Sequence, residues 1–320
     1  MSVEVVGLGI PVMDLLVNLP FLPPKDGYVE ANEIFHQGGG KVTTAMVTCA
    51  RLGFKAGVLA KVGCDYAGDH VFKDLIYNGV DTSRIKRGAP DSTGVFCISL
   101  SVEETASRVI IGHEYTVGLL TPDEVDYEYI RSAKYLLLDR GDDASAAAAR
   151  FAKENGVTVV LDADDYFKET EEMLPWVDIF IGSEIYHKDR FGKLEIQKSC
   201  ELIREMGPSV IWFTFGERGC VGLLDGVLHE IPSFKVEVKD TTGAGDVFHG
   251  AYIAALMENK THLQCAHYAS AVAAIKCTYV GGRTGIPIKK TVERFLRDGV
   301  IETDELNERY EYYRSSYSNN

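Results

Sequence analysis

The chain is predicted to be an α/β protein: a three-layer α/β/α domain around a doubly wound, mostly parallel sheet, with a small β-sheet lid. Three observations predict it. Strand-like and helix-like runs alternate almost throughout the 320 residues. The strand-like runs, such as "KYLLLD" and "SVIWFTFG", are nearly continuously apolar, as strands covered on both faces must be. Two stretches, about 15–37 and 92–115, break the alternation without any helical period, and are expected to form a β-layer over the mouth of the sheet.

Taken in order, "VEVVGLG" opens the sheet, and the Pro-rich "LPFLPPKDGYVEANEIFHQ" follows as the first part of the lid. An amphipathic helix over Thr43–Leu52 leads to the strand "KAGVLAKVG". The helix Ala67–Asn78 ends at Gly79, a residue suited to the left-handed position after a helix. "STGVFCISLSVEETASRVIIGHEY" reads as two alternating strands around a polar turn, a hairpin. The alternation resumes with "KYLLLD", an Ala-rich helix Ala144–Glu154, "VTVVLDAD", "DIFIGS", a helix Glu195–Met206 and "SVIWFTFG". Two helices then cover Val247–Leu256 and Cys265–Cys277. The whole, 1–320, reads as a single domain with no internal repeat, ending in a polar tail, about 308–320, expected to fray.

Composition narrows the function. Hydrophobic residues are 46% and charged residues 25%, ordinary globular usage. The net charge of −14 argues against a nucleic-acid or anionic-membrane partner, which needs a basic footprint. It leaves a phosphorylated ligand open, because phosphate sites are built locally from backbone N–H groups. No apolar run approaches a membrane span, and the N-terminus lacks a basic leader. Seven dispersed cysteines without a C-x-x-C pair read as reduced thiols, so a cytoplasmic protein is expected.

The stretch "DTTGAGDVFHG", from Asp240 to Gly250, carries the chemistry. Phe248, Ala251, Tyr252, Ala255 and Leu256 recur at helical spacing, so a buried helix follows. Its first turn holds Gly243, Ala244, Gly245 and Asp246, in which two glycines, poor helix formers, leave the unpaired N–H groups open. Such a turn can cradle an anion, and a carboxylate beside it can take the proton of an alcohol during phosphoryl transfer. The plainer reading is that Asp246 favours the helix start and the glycines allow close packing. "GGGKVT" fails as a P-loop, which would need Gly at Phe35 and Ser or Thr at Val42. "GLGIPVMD" places Pro11 where a dinucleotide-binding helix would start. A nucleotide therefore has to be held elsewhere, and Gly216-x-x-Gly219, after the strand ending near Thr214, is one candidate at the carboxyl end of the sheet; it reads equally as a hairpin turn.

Lys41, beside the glycine run, and Arg140, after "YLLLD", could bind an anionic substrate group. For Arg140 the competing reading is an ion pair with Asp139, Asp142 or Asp143. Asp162 and Asp164 receive no role, and His249 either orients Asp246 or fills space against the sheet. No histidine spacing indicates zinc.

"DTTGAGDVFHGAY" resembles the C-terminal signature of the ribokinase-like (PfkB) carbohydrate kinases, nearest the fructokinase and ketohexokinase branch. "GIPVMD", "GGGKVTTAMVTCARLG", "VGCDYAGDHVFKDLIYNGVDTSRI" and "GGRTGIP" resemble further family segments, over essentially Val3 to Leu296. The resemblance implies Asp246 as catalytic base, Gly243–Gly245 as anion hole, and Asp14 with Gly39 and Gly40 at the sugar. It implies nucleotide near Thr214 and Gly216, ATP and Mg2+ as cofactors, and leaves a monovalent cation such as K+ open. Two positions depart from the pattern. Thr44 stands where many members carry a sugar-binding Asn, and Ser183-Glu184 where many carry N-x-x-E, which leaves Glu184 as a candidate for a water-mediated metal contact.

The expected function is ATP-dependent phosphorylation of a hydroxyl on a ketose-like sugar or sugar derivative. A ribose or nucleoside kinase on the same fold, and a non-catalytic sugar or nucleotide sensor, are the alternatives. A homodimer through the lid is expected from its exposed strand edges.

Overall fold

In the computed structural model, which describes residues 3–318 apart from residue 106, the first half runs β1 (Val5–Leu8), β2 (Val12–Leu19), β3 (Glu33–Gly39), α1 (Lys41–Arg51), β4 (Ala56–Val62), α2 (Tyr66–Tyr77), β5 (Ile85–Arg87), β6 (Val95–Val102) and β7 (Ser107–Gly112). The middle comprises α3 (Tyr127–Arg131), β8 (Tyr135–Leu138), α4 (Asp143–Glu154), β9 (Thr158–Ala163), α5 (Lys168–Glu172), β10 (Ile179–Ser183), α6 (Glu184–Phe191), α7 (Ile196–Glu205) and β11 (Val210–Thr214). The chain closes with β12 (Cys220–Leu224), β13 (Val227–Ile231), α8 (Ala244–Met257), α9 (His262–Lys276), α10 (Lys289–Asp298) and α11 (Asp304–Ser318).

The main sheet has the order β13-β12-β11-β10-β9-β8-β1-β4-β5. From β11 to β5 all neighbours are parallel, and β12 and β13 are added antiparallel at one edge. Successive residues feed opposite faces: Val5 joins the core under α1, α8 and α9, and Val6 the core under α4 and α7. That double burial is why the strands are apolar without alternation. The chain winds from β1 outward to β4 and β5, then returns to β8 on the other side of β1. The order reverses between β1 and β8, and ligands of such sheets bind at the carboxyl ends of that junction.

The second sheet, order β3-β2-β6-β7, stands over this junction. β2 pairs antiparallel with β3 but parallel with β6, and β6–β7 is the expected hairpin. The lid strands start at Val12 and reach Gly39, beyond the predicted 15–37, because extended pairing continues past the Pro-rich loop into the glycines. Asp14 therefore lies on a lid strand. The predicted lid span 92–115 includes residue 106, outside the described residues.

The expected frayed tail is instead helical. α11 buries Leu306 and Tyr313, Tyr312 stacks on Tyr77 with centroids 3.6 Å apart, and Arg309 donates to the Thr284 carbonyl at 2.9 Å. The polar composition hid an apolar stripe made of tyrosine rings and one arginine stem. Residues 319 and 320 of the predicted tail lie outside the described residues.

Candidate active site

α8 begins at Gly243, whose φ of 74° is left-handed, a conformation glycine adopts without steric cost. A Cβ there would also come within 3.1 Å of the Gly282 backbone. A Cβ on Gly245 would meet nothing within 4 Å, so the space before the helix's free N–H groups is open. Asp240 builds the approach: its Oδ1 accepts from Thr242 N and its Oδ2 from Gly281 N, both at 2.8 Å. The fully buried Lys276 donates Nζ to the Asp240 carbonyl at 2.9 Å. The close-packing role considered for the signature's glycines belongs to Gly250, where a Cβ would lie 2.3 Å from the Ala45 carbonyl. Gly243, Ala244 and Gly245 shape an opening instead, with Asp246 in the same turn.

The start of α1 forms the facing wall. Gly40 caps it at φ 91°, and a Cβ on Gly39 would overlap Asp14 Oδ2 at 1.9 Å. Asp14 Oδ1 accepts from Ser99 Oγ at 3.0 Å. Burial pushes the Asp14 carboxyl up to about 6, against the Ser99 hydrogen bond and the Arg283 charge, with Asp246 adding to the rise. Thr44 is buried, and its hydroxyl accepts from Arg283 Nε at 3.3 Å. Thr44, which stands at the sugar-contact position that the resemblance implies, meets Arg283 and keeps its own hydroxyl proton to donate.

Lys41 pairs with Asp164 at 3.1 Å and Asp165 at 3.4 Å. Burial alone would lower its pKa, yet Asp162, Asp164, Asp165 and Asp139 together drive it upward. Arg140 pairs with Asp139 at 3.3 Å and lies 3.9 Å from Asp142. The ion-pair reading thus describes Arg140, with Asp143 outside it. Asp139 is itself buried, which raises its pKa against Arg140 and Lys41.

Asp246 is raised from the ordinary carboxylate range by burial first, opposed by Lys41 and His249 and reinforced by Asp164. His249 does not bond Asp246. Its Nδ1 meets the Gly245 carbonyl at 2.7 Å, and its Nε2 lies 3.3 Å from the Ile181 carbonyl and 3.6 Å from Asp162 Oδ1. It ties the first turn of α8 to β10, so it fills space against the sheet and also fixes the turn. Asp162, likewise raised by burial, sits behind it.

Ser183 and Thr214, candidates for the nucleotide edge, stand opposite each other in register at the carboxyl ends of β10 and β11. Ser183 caps α6, accepting from Tyr186 N at 3.0 Å, and donates to the Asp164 carbonyl at 2.5 Å. Thr214 donates to the Gly182 carbonyl at 3.4 Å. Gly216 (φ 57°) and Gly219 (φ 87°) bracket a 3-10 turn that links β11 to β12, so the segment is a hairpin turn as well as a candidate ligand edge. Glu184 is exposed and pairs with Arg218 at 2.7 Å. Among the described residues no group of three or more His, Cys, Asp or Glu could hold a metal ion.

Sequence reasoning missed Asp139, Lys276, Arg283 and Asp74 as site-building residues. Arg283 and Asp74 could not be paired from the sequence, because they lie more than two hundred residues apart.

A carboxylate at an open helix start, roofed by a second sheet, is an arrangement suited to phosphoryl transfer onto a small hydroxyl compound. The family model described as "pfkB family carbohydrate kinase" matches residues 2–289, and the chain belongs to that family. It is 26% identical over 296 residues to the ribokinase of Haemophilus influenzae, covering 90% of this chain and 97% of that one. It is 26% identical over 302 residues to a nucleoside kinase of Methanothermobacter thermautotrophicus, covering 91% and 95%. Among solved structures, the ribokinase of Thermotoga maritima superposes with a TM-score of 0.79 at 24% identity, over 92% of this chain and 100% of that one. Arabidopsis thaliana ribokinase, solved with ribose and ATP, does so at 0.79 and 22%, over 93% and 99%. These names do not single out the fructokinase branch. The protein is an ATP-dependent carbohydrate kinase with the ribokinase-like fold.

Proposed function

We propose that the protein phosphorylates a hydroxyl of an uncharged, polyhydroxylated sugar or sugar derivative, using ATP and Mg2+. The observation that carries this reading is the acceptor wall. Asp14 presents a carboxylate, a natural acceptor for sugar hydroxyls, and Lys41 and Arg140 are neutralised by carboxylates of their own. Asp246 takes the proton as the alcohol oxygen attacks the γ-phosphorus, the bond to the β–γ bridging oxygen breaks, and ADP leaves. The N–H groups of the Gly243–Gly245 turn stabilise the transferring group. Magnesium supplies charge neutralisation on the phosphates, and the Ser183, Thr214 and Gly216–Gly219 edge is where the nucleotide would lie. The lid closes to keep water from competing with the alcohol.

The names of the relatives favour a second reading, ribose or a nucleoside as acceptor. Resemblance of "DTTGAGDVFHGAY" favours a ketose. An ADP-release assay across ketoses, aldoses, nucleosides, sugar acids and sulfonated sugars decides between them. Turnover confined to acidic sugars would overturn the uncharged-acceptor reading, and silence throughout, with ATP binding intact, would favour a sensor. All seven cysteines are free thiols, in keeping with a cytoplasmic enzyme, and no helix among the described residues is long and apolar enough to cross a membrane.

We further propose a homodimer through the lid. β7 is an edge strand with exposed Val109 and Ile111, a surface that pairing would cover. Light scattering is expected to give twice the chain mass of 35.3 kDa; the mass of a monomer at micromolar concentration would sink this.

A further inference from the structure

The cations around the acceptor site are nearly all committed. Lys41 is held by Asp164 and Asp165, Arg140 by Asp139, Arg283 by Asp74 and the Gly39 carbonyl, and Lys276 by the Asp240 carbonyl. Arg108 is the exception. It lies on β7, and no hydrogen bond or ion pair among the described residues holds it, although its charge is felt at Asp246 and at Cys277.

The lid register fixes which way it faces. Arg108 stands opposite Ser101, and Ile110 opposite Ser99. Residues directly paired across strands share a face, and Ser99 donates to Asp14 at 3.0 Å. Arg108 and Ile110 are therefore on the face that roofs the site, whereas Val109 and Ile111 face away. Ser99 and Ser101 are buried, and Arg108 and Ile110 are exposed, so β7 overhangs open space where β6 covers protein.

Two anchor points give the end of the cleft that Arg108 overlooks. Asp246 lies in the first turn of α8, and the Cys277 carbonyl accepts from Lys239 N at 2.8 Å and Asp240 N at 3.2 Å. Both border the 240–245 loop that forms the anion-cradling turn. Asp14, by contrast, stands opposite Cys97 on β6, four residues from Ser101, the partner of Arg108. Arg108 thus overlooks the phosphoryl end of the cleft, away from the hydroxyl-binding end.

We propose that Arg108 is a catalytic cation carried by the lid, whose guanidinium meets the oxygens of the phosphoryl group seated over Gly243–Gly245 when the lid closes on the acceptor. This rests on the kinase reading given above. A guanidinium binds phosphate oxygens through a planar fork and stays protonated throughout. In the transfer step it gains and loses nothing: Asp246 receives the alcohol proton, ADP carries away the electron pair of the broken P–O bond, and Arg108 balances charge on the equatorial oxygens. Carrying it on the lid links closure to chemistry, because the charge arrives only once acceptor and roof are in place.

The test compares Arg108→Ala and Arg108→Lys with the full-length wild type, using ATP, Mg2+ and whichever acceptor the ADP-release panel identifies. Turnover at saturating substrates is expected to fall on the order of 10²-fold or more in Arg108→Ala, with acceptor KM changed little, and to recover in part in Arg108→Lys. Calorimetry with ADP and aluminium fluoride, which mimics the transferring group, should show at least about tenfold weaker binding in the presence of acceptor, with ADP alone unaffected. Turnover within about threefold of wild type would overturn the role. So would a rise confined to acceptor KM, which would make Arg108 a reader of an anionic acceptor group. Urea unfolding of both variants checks that the fold is kept, as expected for an exposed strand residue. A wild type silent on every acceptor would instead defeat the kinase reading itself, and this role with it.

Discussion

Asp246→Asn is expected to lower turnover at saturating substrate by about 10²–10⁴-fold while leaving ATP affinity within a few-fold, the range a positioned general base supplies. Asparagine keeps the shape of the side chain and its place in the first turn of α8, so the anion-cradling N–H groups stay where they are. What it loses is the capacity to accept the alcohol proton. Activity also carries a sign with pH. The reacting form of Asp246 is ionised, and burial raises its pKa above the ordinary carboxylate range, so kcat/KM should rise with pH through a limb displaced upward from about 4. Lys41 is the largest influence opposing that rise, and Lys41→Met should move the limb further up. Steady-state rates from pH 5 to 9 would decide it. An Asn variant within a few-fold of wild type would remove Asp246 from the role of base.

The second large effect concerns stability. Arg283 is completely buried. It ion-pairs with the buried Asp74 and donates from Nη2 to the Gly39 carbonyl at 2.8 Å and from Nε to Thr44 Oγ1 at 3.3 Å. Its own backbone N–H donates to Gln37 Oε1 at 2.8 Å. Arg283→Met fills most of the volume but strands the Asp74 carboxylate inside the protein, whereas the Gly39 carbonyl keeps the Thr43 hydroxyl as a donor. Breaking one side of such a pair costs about 3–5 kcal/mol, which urea unfolding would read as a lowered midpoint at unchanged slope. Adding Asp74→Asn should restore part of the loss, because the uncompensated charge is then gone. A loss below about 1 kcal/mol would mean that Asp74 is satisfied some other way. Acceptor KM should rise as well, since Arg283 holds the backbone of the glycine run beside Asp14.

The difference between these two residues marks what each level of description reveals. Asp246 was legible because its surroundings are local. Within a few residues the chain spells out a left-handed glycine, an uncrowded turn and the apolar stripe of α8. The same holds for the continuous apolar strands and for Gly216–Gly219 as a turn. Arg283 sat in "GGRTGIP", a quoted segment, with no sign of its burial, because Asp74 and Thr44 lie more than two hundred residues away. Nothing near Thr44 in the chain announces its bond to Arg283 either. The C-terminal helix was read as frayed because its buried surface is tyrosine and arginine stem, which polarity counts as solvent-facing.

Residues close in sequence determined the doubly wound sheet, the hairpin of the lid and the open glycine start of α8, since hydrophobic period, glycine and capping act over a single turn or strand. Tertiary structure decided which charges are spent and which are free. Lys41 and Arg140 are neutralised and Arg108 is left facing the cleft, because ion pairing depends on distances of a few ångströms between elements that only folding brings together.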